Sequence, residues 1–413
     1  MKKILCKILA LKVPPRRLKL DSVKFIRVNP TYFILFFQIF FVGCTPTDPD
    51  DTSKSEIFVQ VPVFKNTQYE LDVVPLKTLT DIRHLEGQSA KFQTESSVVP
   101  NPSPAQGEPK NQLHGQDPQI RYFRRADGVY IPTDFLSLQL FSLYASFEKL
   151  KLIDESLGLG SLLKWPRKVV VQANVVSGLE SMENTALYSG EFDAYVFVPY
   201  TESNMPLMVN QGVVAHEHFH ALFQKLFLEP QQKTLAANVK TESEKLLQSA
   251  MIRAVNEGLA DIWSYLLIGD PSFVGRSIES FRMARDLNAP WNENIPTESR
   301  MTQTMKPLSV DEQIGHAYFY GSLLAKFLKV YIDLIPTKDV LQVEKSLIDG
   351  IKNYELKKQF SFNGLLLSIM QQLPPLPTTD CKKILMHLDE YVEDQMYFYN
   401  TFQCQGKNLG VKP

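Results

Sequence analysis

The eleven residues Val213–Phe223, VVAHEHFHALF, constrain this chain more than any other stretch. Apolar residues recur through them at helical spacing, so a helix with a buried side is expected. His216 and His220 are four apart, about 40° on the helical wheel, and both imidazoles project from one face. Glu217 follows His216 by about 100°, close enough to reach a ligand held between the two rings. The pattern H-E-x-x-H offers two neutral imidazoles to a zinc ion and sets a carboxylate beside the water such an ion binds. A surface helix carrying two ordinary histidines is the plainer alternative. His218, about 200° from His216, faces the other way and is assigned to structure.

A second helix decides between these readings. Thr241 to Ile268 carries a long helical pattern that stops at Gly269-Asp270-Pro271. Inside it, Glu257 and Asp261 are four apart and share a face. A hydrolytic zinc site uses three protein ligands and keeps one position open, so Glu257 is the expected third ligand beside His216 and His220. Asp261, one turn on, is expected to accept the remaining ring N–H of a ligand histidine and fix its tautomer. Gly258 is expected to let the two helices approach closely.

Asn256, Glu257 and Asp261 also match Asn-Glu-x-x-x-Asp, and with H-E-x-x-H the chain resembles the gluzincin metallopeptidases, the thermolysin-like clan. The resemblance runs from about Lys168 to Leu334. It implies an α+β, zincin-like fold in two lobes: a mixed-sheet N-terminal lobe over 116–228 that carries the active-site helix, and a mainly helical lobe over 229–413. It implies a zinc metalloendopeptidase acting on peptide or protein substrates, with Glu217 as general base. In that family a His shortly before a glycine stabilises the oxyanion, and His316 in Asp311–Gly321 resembles it. Tyr320 shares its helical face, whereas Tyr318 then points elsewhere; a buried His–Tyr pair is the structural alternative. The 36 residues between His220 and Glu257 exceed the spacing in thermolysin, and polar Glu229–Lys240 accounts for the excess as an inserted loop. Two rival functions stand beside this one. A catalytically inactive zincin-fold lipoprotein could serve as a scaffold, although the intact Glu217 argues against it. An aminopeptidase needs an acidic anchor for the substrate's amino terminus, and no such motif precedes His216.

The expected N-terminal lobe has recognisable parts. Phe135–Leu157 reads as an amphipathic helix capped near Thr133-Asp134. Lys168–Val176 is a β-branched strand. Ala194–Tyr200 is a second strand, placed at an edge by Pro199, where the family pairs an extended substrate. Arg276, Arg282 and Arg285 are assigned to surface ion pairs. Beyond Leu334 the pattern stays helical, with Leu365–Leu367 and Ile384-Leu385 as core and His387 structural.

The beginning of the chain reads as an address. Residues 1–43 carry nine Lys/Arg and one acid, Asp21, so the remainder has a net charge of −9 where the whole chain has −1. That acidity gives no reason to expect a nucleic-acid partner. Tyr32–Val42 is an apolar run too short to span a bilayer comfortably and fits the hydrophobic part of a signal peptide. It ends in Phe41-Val42-Gly43-Cys44, similar to the lipobox of bacterial lipoproteins, which implies lipidation of Cys44. An uncleaved anchor is the alternative. Export to the bacterial cell envelope follows, with a lipid anchor in the membrane, the outer one by the analogy of Thr45. Residues 44–115, rich in Pro, Ser and Thr, are expected to be a flexible tether or a pro-segment, with a strand at Ile57–Val63 and exposed His84 and His114. In an oxidising compartment Cys381 and Cys404 can close one disulfide. No nucleotide, flavin, haem or calcium-loop motif is present.

Overall fold

Alternation in IFVQVPVFK turns Val59 and Val61 inward, both fully buried. This strand, β1 (Ile57–Lys65), pairs antiparallel with β2 (Gln68–Leu76) from Ile57↔Leu76 to Lys65↔Gln68. The two-residue turn between them, Asn66-Thr67, has both φ angles positive, 48° and 73°, which matches the twist of the strands it joins. The computed structural model describes residues 56–100, 111–177, 180–237, 239–290, 298–306, 308–337, 339–356, 359–377, 380 and 384. Cys44, Cys381, Cys404 and His387, with the expectations attached to them, lie outside the described residues.

Short strands β3 (Leu79–Asp81) and β4 (Glu86–Gly87) lead into β5 (Ala90–Pro100) and β6 (Asn111–Gln116). The expected tether over 44–115 is therefore corrected for what is described in it: residues 57–100 and 111–116 form strands and their connecting turns, the first of them at the expected Ile57–Val63. Its polarity misled because these strands face solvent on one side, and because β5 is held by partners distant in sequence. His84 and His114 are exposed, as expected.

After β7 (Tyr122–Arg124) and β8 (Tyr130–Pro132) comes helix α1 (Phe135–Ser156), capped by Asp134, whose carboxylate accepts from the Ser137 N–H at 2.7 Å. It buries Phe141, Tyr144 and Phe147. Strands β9 (Arg167–Val171), β10 (Val176–Ser177), β11 (Glu180–Ser181), β12 (Ala186–Ser189) and β13 (Ala194–Phe197) follow. The main sheet has the order β12-β13-β9-β5-β6, with β13, β9 and β5 parallel and the two outer strands antiparallel to their neighbours. A second sheet has the order β2-β1-β8-β7. The edge assignment for Ala194–Tyr200 is also corrected. β13 is interior and wholly buried, and β12 is the edge. Pro199 lies two residues beyond the last paired position, Phe197, so it removes no ladder bond.

The rest is helical. α2 (Gln211–Phe223) continues through a π turn (Gln224–Leu228) into α3 (Glu229–Ala237), so the expected loop over Glu229–Lys240 is largely helix. α4 (Glu242–Ile268) starts with a capping box, Thr241 and Glu244, and ends at Gly269 with φ 76°. Then come α5 (Phe273–Ser277), α6 (Glu298–Met305), α7 (Val310–Leu334), α8 (Val340–Asn353) and α9 (Phe362–Gln372). Gly258 of α4 lies against Gly321 of α7: a Cβ on Gly258 would sit 2.6 Å from the Gly321 carbonyl oxygen. The close approach that Gly258 permits is thus to α7, not to α2. From Glu56 onward the described residues belong to one compact unit of mixed α and β structure. Among them no helix is long and apolar enough to cross a membrane.

Candidate metal centre

The start of α2 is fixed before its histidines come into play. Asn210 caps it, accepting from the N–H groups of Gly212 and Val213 at 3.1 and 3.4 Å. The same side chain donates to the Phe273 carbonyl and the Ser277 hydroxyl, at 2.7 and 2.8 Å. Tyr69, from the β1–β2 hairpin, accepts from the Gln211 N–H at 2.9 Å. One turn deeper, Ser264 of α4 donates to the Gly212 carbonyl at 2.9 Å and ties the two helices together.

This frame brings three donor side chains to one point. The Nε2 atoms of His216 and His220 are 3.0 Å apart. Glu257 presents Oε2 at 3.3 Å from His216 Nε2 and Oε1 at 3.7 Å from His220 Nε2. For metal bonds of about 2.0–2.2 Å at tetrahedral angles, ligand-to-ligand edges are about 3.3–3.6 Å. Each observed edge lies within about 0.3 Å of that range. His216, His220 and Glu257 are buried or nearly so and can hold a metal ion.

The outer ring nitrogens are also engaged. His216 Nδ1 lies 3.0 Å from Asp261 Oδ1, and His220 Nδ1 lies 3.0 Å from Asn256 Oδ1. With Nδ1 as donor in both rings, each Nε2 carries its lone pair toward the other and toward Glu257. Two facing lone pairs beside a carboxylate repel unless a proton or a cation lies between them. Asp261 is held in turn by Arg285, whose Nε and Nη2 both reach its carboxylate, the former at 3.2 Å. Arg285 was expected in a surface ion pair. It is instead only 10% exposed at its side chain, 3.6 Å from Glu257, because the chain after α5 folds back over the site. No local pattern in the sequence marks that return.

The charges follow from burial and neighbours. Burial works against a charged His216, but hydrogen bonds to Asp261 and Glu257 outweigh it and raise the imidazole to about 9. For His220 burial prevails and lowers the imidazole to about 4. Burial pushes Glu257 up, yet His220, His216 and Arg285 hold its carboxyl at about 2. Asp261 is likewise kept below its ordinary value, mainly by Arg285 against the effect of burial. Two ionised carboxylates face one guanidinium and the protonated His216, and a bound cation would replace the proton on His216. Glu217 lines the same cavity but is not one of the three donors. Burial raises its carboxyl to about 7, and its Oε2 accepts from the Tyr188 N–H of edge strand β12 at 2.9 Å.

A cavity of about 1250 Å³ opens on the cluster, lined by residues of β12, α2, α3 and α4 and by Tyr318 of α7. His316 and Tyr320 share one helical face, their rings 5.9 Å apart, as their spacing predicts. Neither is among the residues that line this cavity. Tyr318, expected to point elsewhere, is the α7 tyrosine that faces the site; the phase of α7 about its axis, set by the Gly258–Gly321 crossing, turns it there. Nearby Glu257, followed by burial, raises the Tyr318 phenol, which therefore stays protonated. His218 is structural, as expected: fully buried under α2, with Nδ1 3.0 Å from the Tyr195 hydroxyl and Nε2 3.1 Å from Asp154. No protein-family model matches this chain, and no curated protein is detectably similar to it in sequence.

Proposed function

We propose that the chain is a zinc-dependent peptidase of the gluzincin type, with the two-lobed zincin arrangement its sequence motifs imply. The observation that carries the reading is the convergence of His216 Nε2, His220 Nε2 and Glu257 on one point, with Glu217 beside them on an open cavity. Zinc held by these three residues supplies Lewis acidity, polarising a scissile carbonyl and acidifying water. Glu217 takes the proton from the attacking water and passes it to the leaving amine. Its carboxyl at about 7 suits both transfers near neutral pH. The Tyr188 N–H holds Oε2 and leaves Oε1 as the proton acceptor. Tyr318, protonated and facing the cavity, donates to the developing oxyanion. Asp261 and Asn256 keep the two imidazoles in the Nδ1–H tautomer, and Arg285 keeps Asp261 ionised. The protein is exported and lipid-anchored through Cys44, with its substrate a peptide or protein outside the cytoplasm.

The test is metal content together with cleavage of a broad peptide library, on a protein that begins at or before Glu56. About one zinc per chain is expected, with cleavage lost in Glu217→Gln while the metal is retained. A protein that binds zinc yet cleaves nothing is a binding scaffold; one that binds no zinc is not a metallopeptidase.

A further inference from the structure

The cavity extends beyond the metal cluster toward the N-terminal half of α4. There its wall combines apolar Leu228, Leu235 and Ile252 with two cations, Arg253 and Lys240. Arg253 precedes Glu257 by one turn on the same face of α4, an axial rise of about 6 Å. Among the described residues its guanidinium has no hydrogen bond or ion pair. Other cations on the same wall are already engaged: Arg285 by Asp261, and Lys245 by Glu242 at 3.5 Å. The charge of Arg253 is also felt at the Tyr318 phenol, where it acts to lower the pKa. Arg253 is solvent-exposed at the cavity wall, so its guanidinium is open to an anion that enters with the substrate.

We infer that Arg253 is a specificity residue that binds a carboxylate of the peptide substrate, either an Asp or Glu side chain or a free C-terminus. This rests on the peptidase reading. An arginine reaches about as far as two extended peptide residues, each spanning about 3.3–3.6 Å. With the 6 Å rise, that sets the carboxylate within about three residues of the cleaved bond. The planar fork favours bidentate binding of a carboxylate over a monodentate contact with an amide oxygen. Lys240, at the edge of the cavity, adds attraction without geometry.

The experiment uses zinc-loaded protein and its Arg253→Gln and Arg253→Glu variants, with matched peptides. These differ only by Glu against Gln at each position near the cleaved bond, and by a free against an amidated C-terminus. The wild type is expected to favour the carboxylate peptide by about 10- to 100-fold in kcat/KM. Arg253→Gln should bring that ratio to within about twofold, and Arg253→Glu should shift the preference to a Lys-bearing peptide. Loss of preference on amidation identifies the terminal carboxylate; loss on Glu-to-Gln exchange identifies a side chain. A second readout needs no turnover. In zinc-loaded Glu217→Gln, a dye-labelled carboxylate peptide should bind about tenfold more tightly than in the double variant with Arg253→Gln, and more weakly as salt rises. Unchanged zinc content and melting temperature show that the variants fold. Carboxylate binding through Arg253 without cleavage would remove the peptidase reading and keep this site. Cleavage indifferent to peptide charge, or equal affinities in the binding arm, would overturn the inference.

Discussion

Replacing Gly258 by alanine tests the link between packing and the metal site. The added Cβ would sit 2.6 Å from the Gly321 carbonyl oxygen and 3.0 Å from a Leu324 methyl, where ordinary contact begins near 3.4 Å. Neither the backbone of α7 nor its own helix can yield locally, so α4 and α7 must part by about 0.8 Å at the crossing. Overpacking of this kind costs about 1–3 kcal/mol. Removing a glycine from a helix interior returns about 1 kcal/mol. A net loss of up to about 2 kcal/mol follows. The displacement is also felt next door, because Glu257 is adjacent and its Cβ already lies 3.0 Å from where a Cβ on Gly321 would be. Moving Glu257 by even half that distance breaks the edges of 3.3 and 3.7 Å to the imidazoles. Zinc affinity is then expected to fall about tenfold or more, a scale common for misplaced ligand partners. Urea denaturation of the metal-free protein gives the first number and competition with a chelating indicator gives the second. A variant at least as stable as wild type, with unchanged zinc affinity, would refute the reasoning.

Four further outcomes are expected. Asp261→Asn, which leaves Arg285 without its carboxylate, should weaken zinc binding by about 10- to 100-fold in the same competition assay. Tyr318→Phe should lower kcat by about 100-fold with little change in KM, whereas His316→Ala should leave kcat within about twofold. Glu344 on α8 is fully buried with neither carboxylate oxygen partnered, and burial raises it from 4.5 to about 8. A folded pKa above the unfolded one gives stability that is present below about pH 4.5 and lost as pH rises through about 8; Glu344→Gln should abolish this loss, about 2–5 kcal/mol by pH 9, in denaturant melts. Cys44→Ser should abolish incorporation of labelled fatty acid in cells, and persistent labelling would dismiss the lipidation site.

What could be read from the sequence was whatever is local in the chain. H-E-x-x-H is a statement about five residues of helix, and so is the spacing of Glu257 and Asp261; both place their side chains as the wheel requires. The cap at Asp134 and the start of α4 at Thr241 are equally local. The wheel gives relative phase only. It pairs His316 with Tyr320 correctly, but which face of α7 meets the cavity is set by the Gly258–Gly321 crossing, and that turns Tyr318 inward. Arg285 was misjudged for a similar reason, since its partner Asp261 is brought to it by the return of the chain after α5. Apart from the strand expected at Ile57–Val63, the strands before Gln116 escaped notice because β2 is half exposed and β5 owes its place to pairing with β9.

That pairing bears on whether the segment before Gln116 can be removed. β5 lies between β9 and β6, matching Ala90 with Arg167 and Thr94 with Val171, while Tyr69 of the preceding hairpin grips the first turn of α2. Stripping residues 57–116 away would leave β9 with a bare row of unpaired amides in the middle of a hydrophobic sheet, an open invitation to aggregation. Maturation by removing that segment would therefore destroy the fold it was meant to release. The smallest piece of this chain that can be handed from one host or assay to another begins near Glu56, and the segment that looked like a leash is part of the chassis.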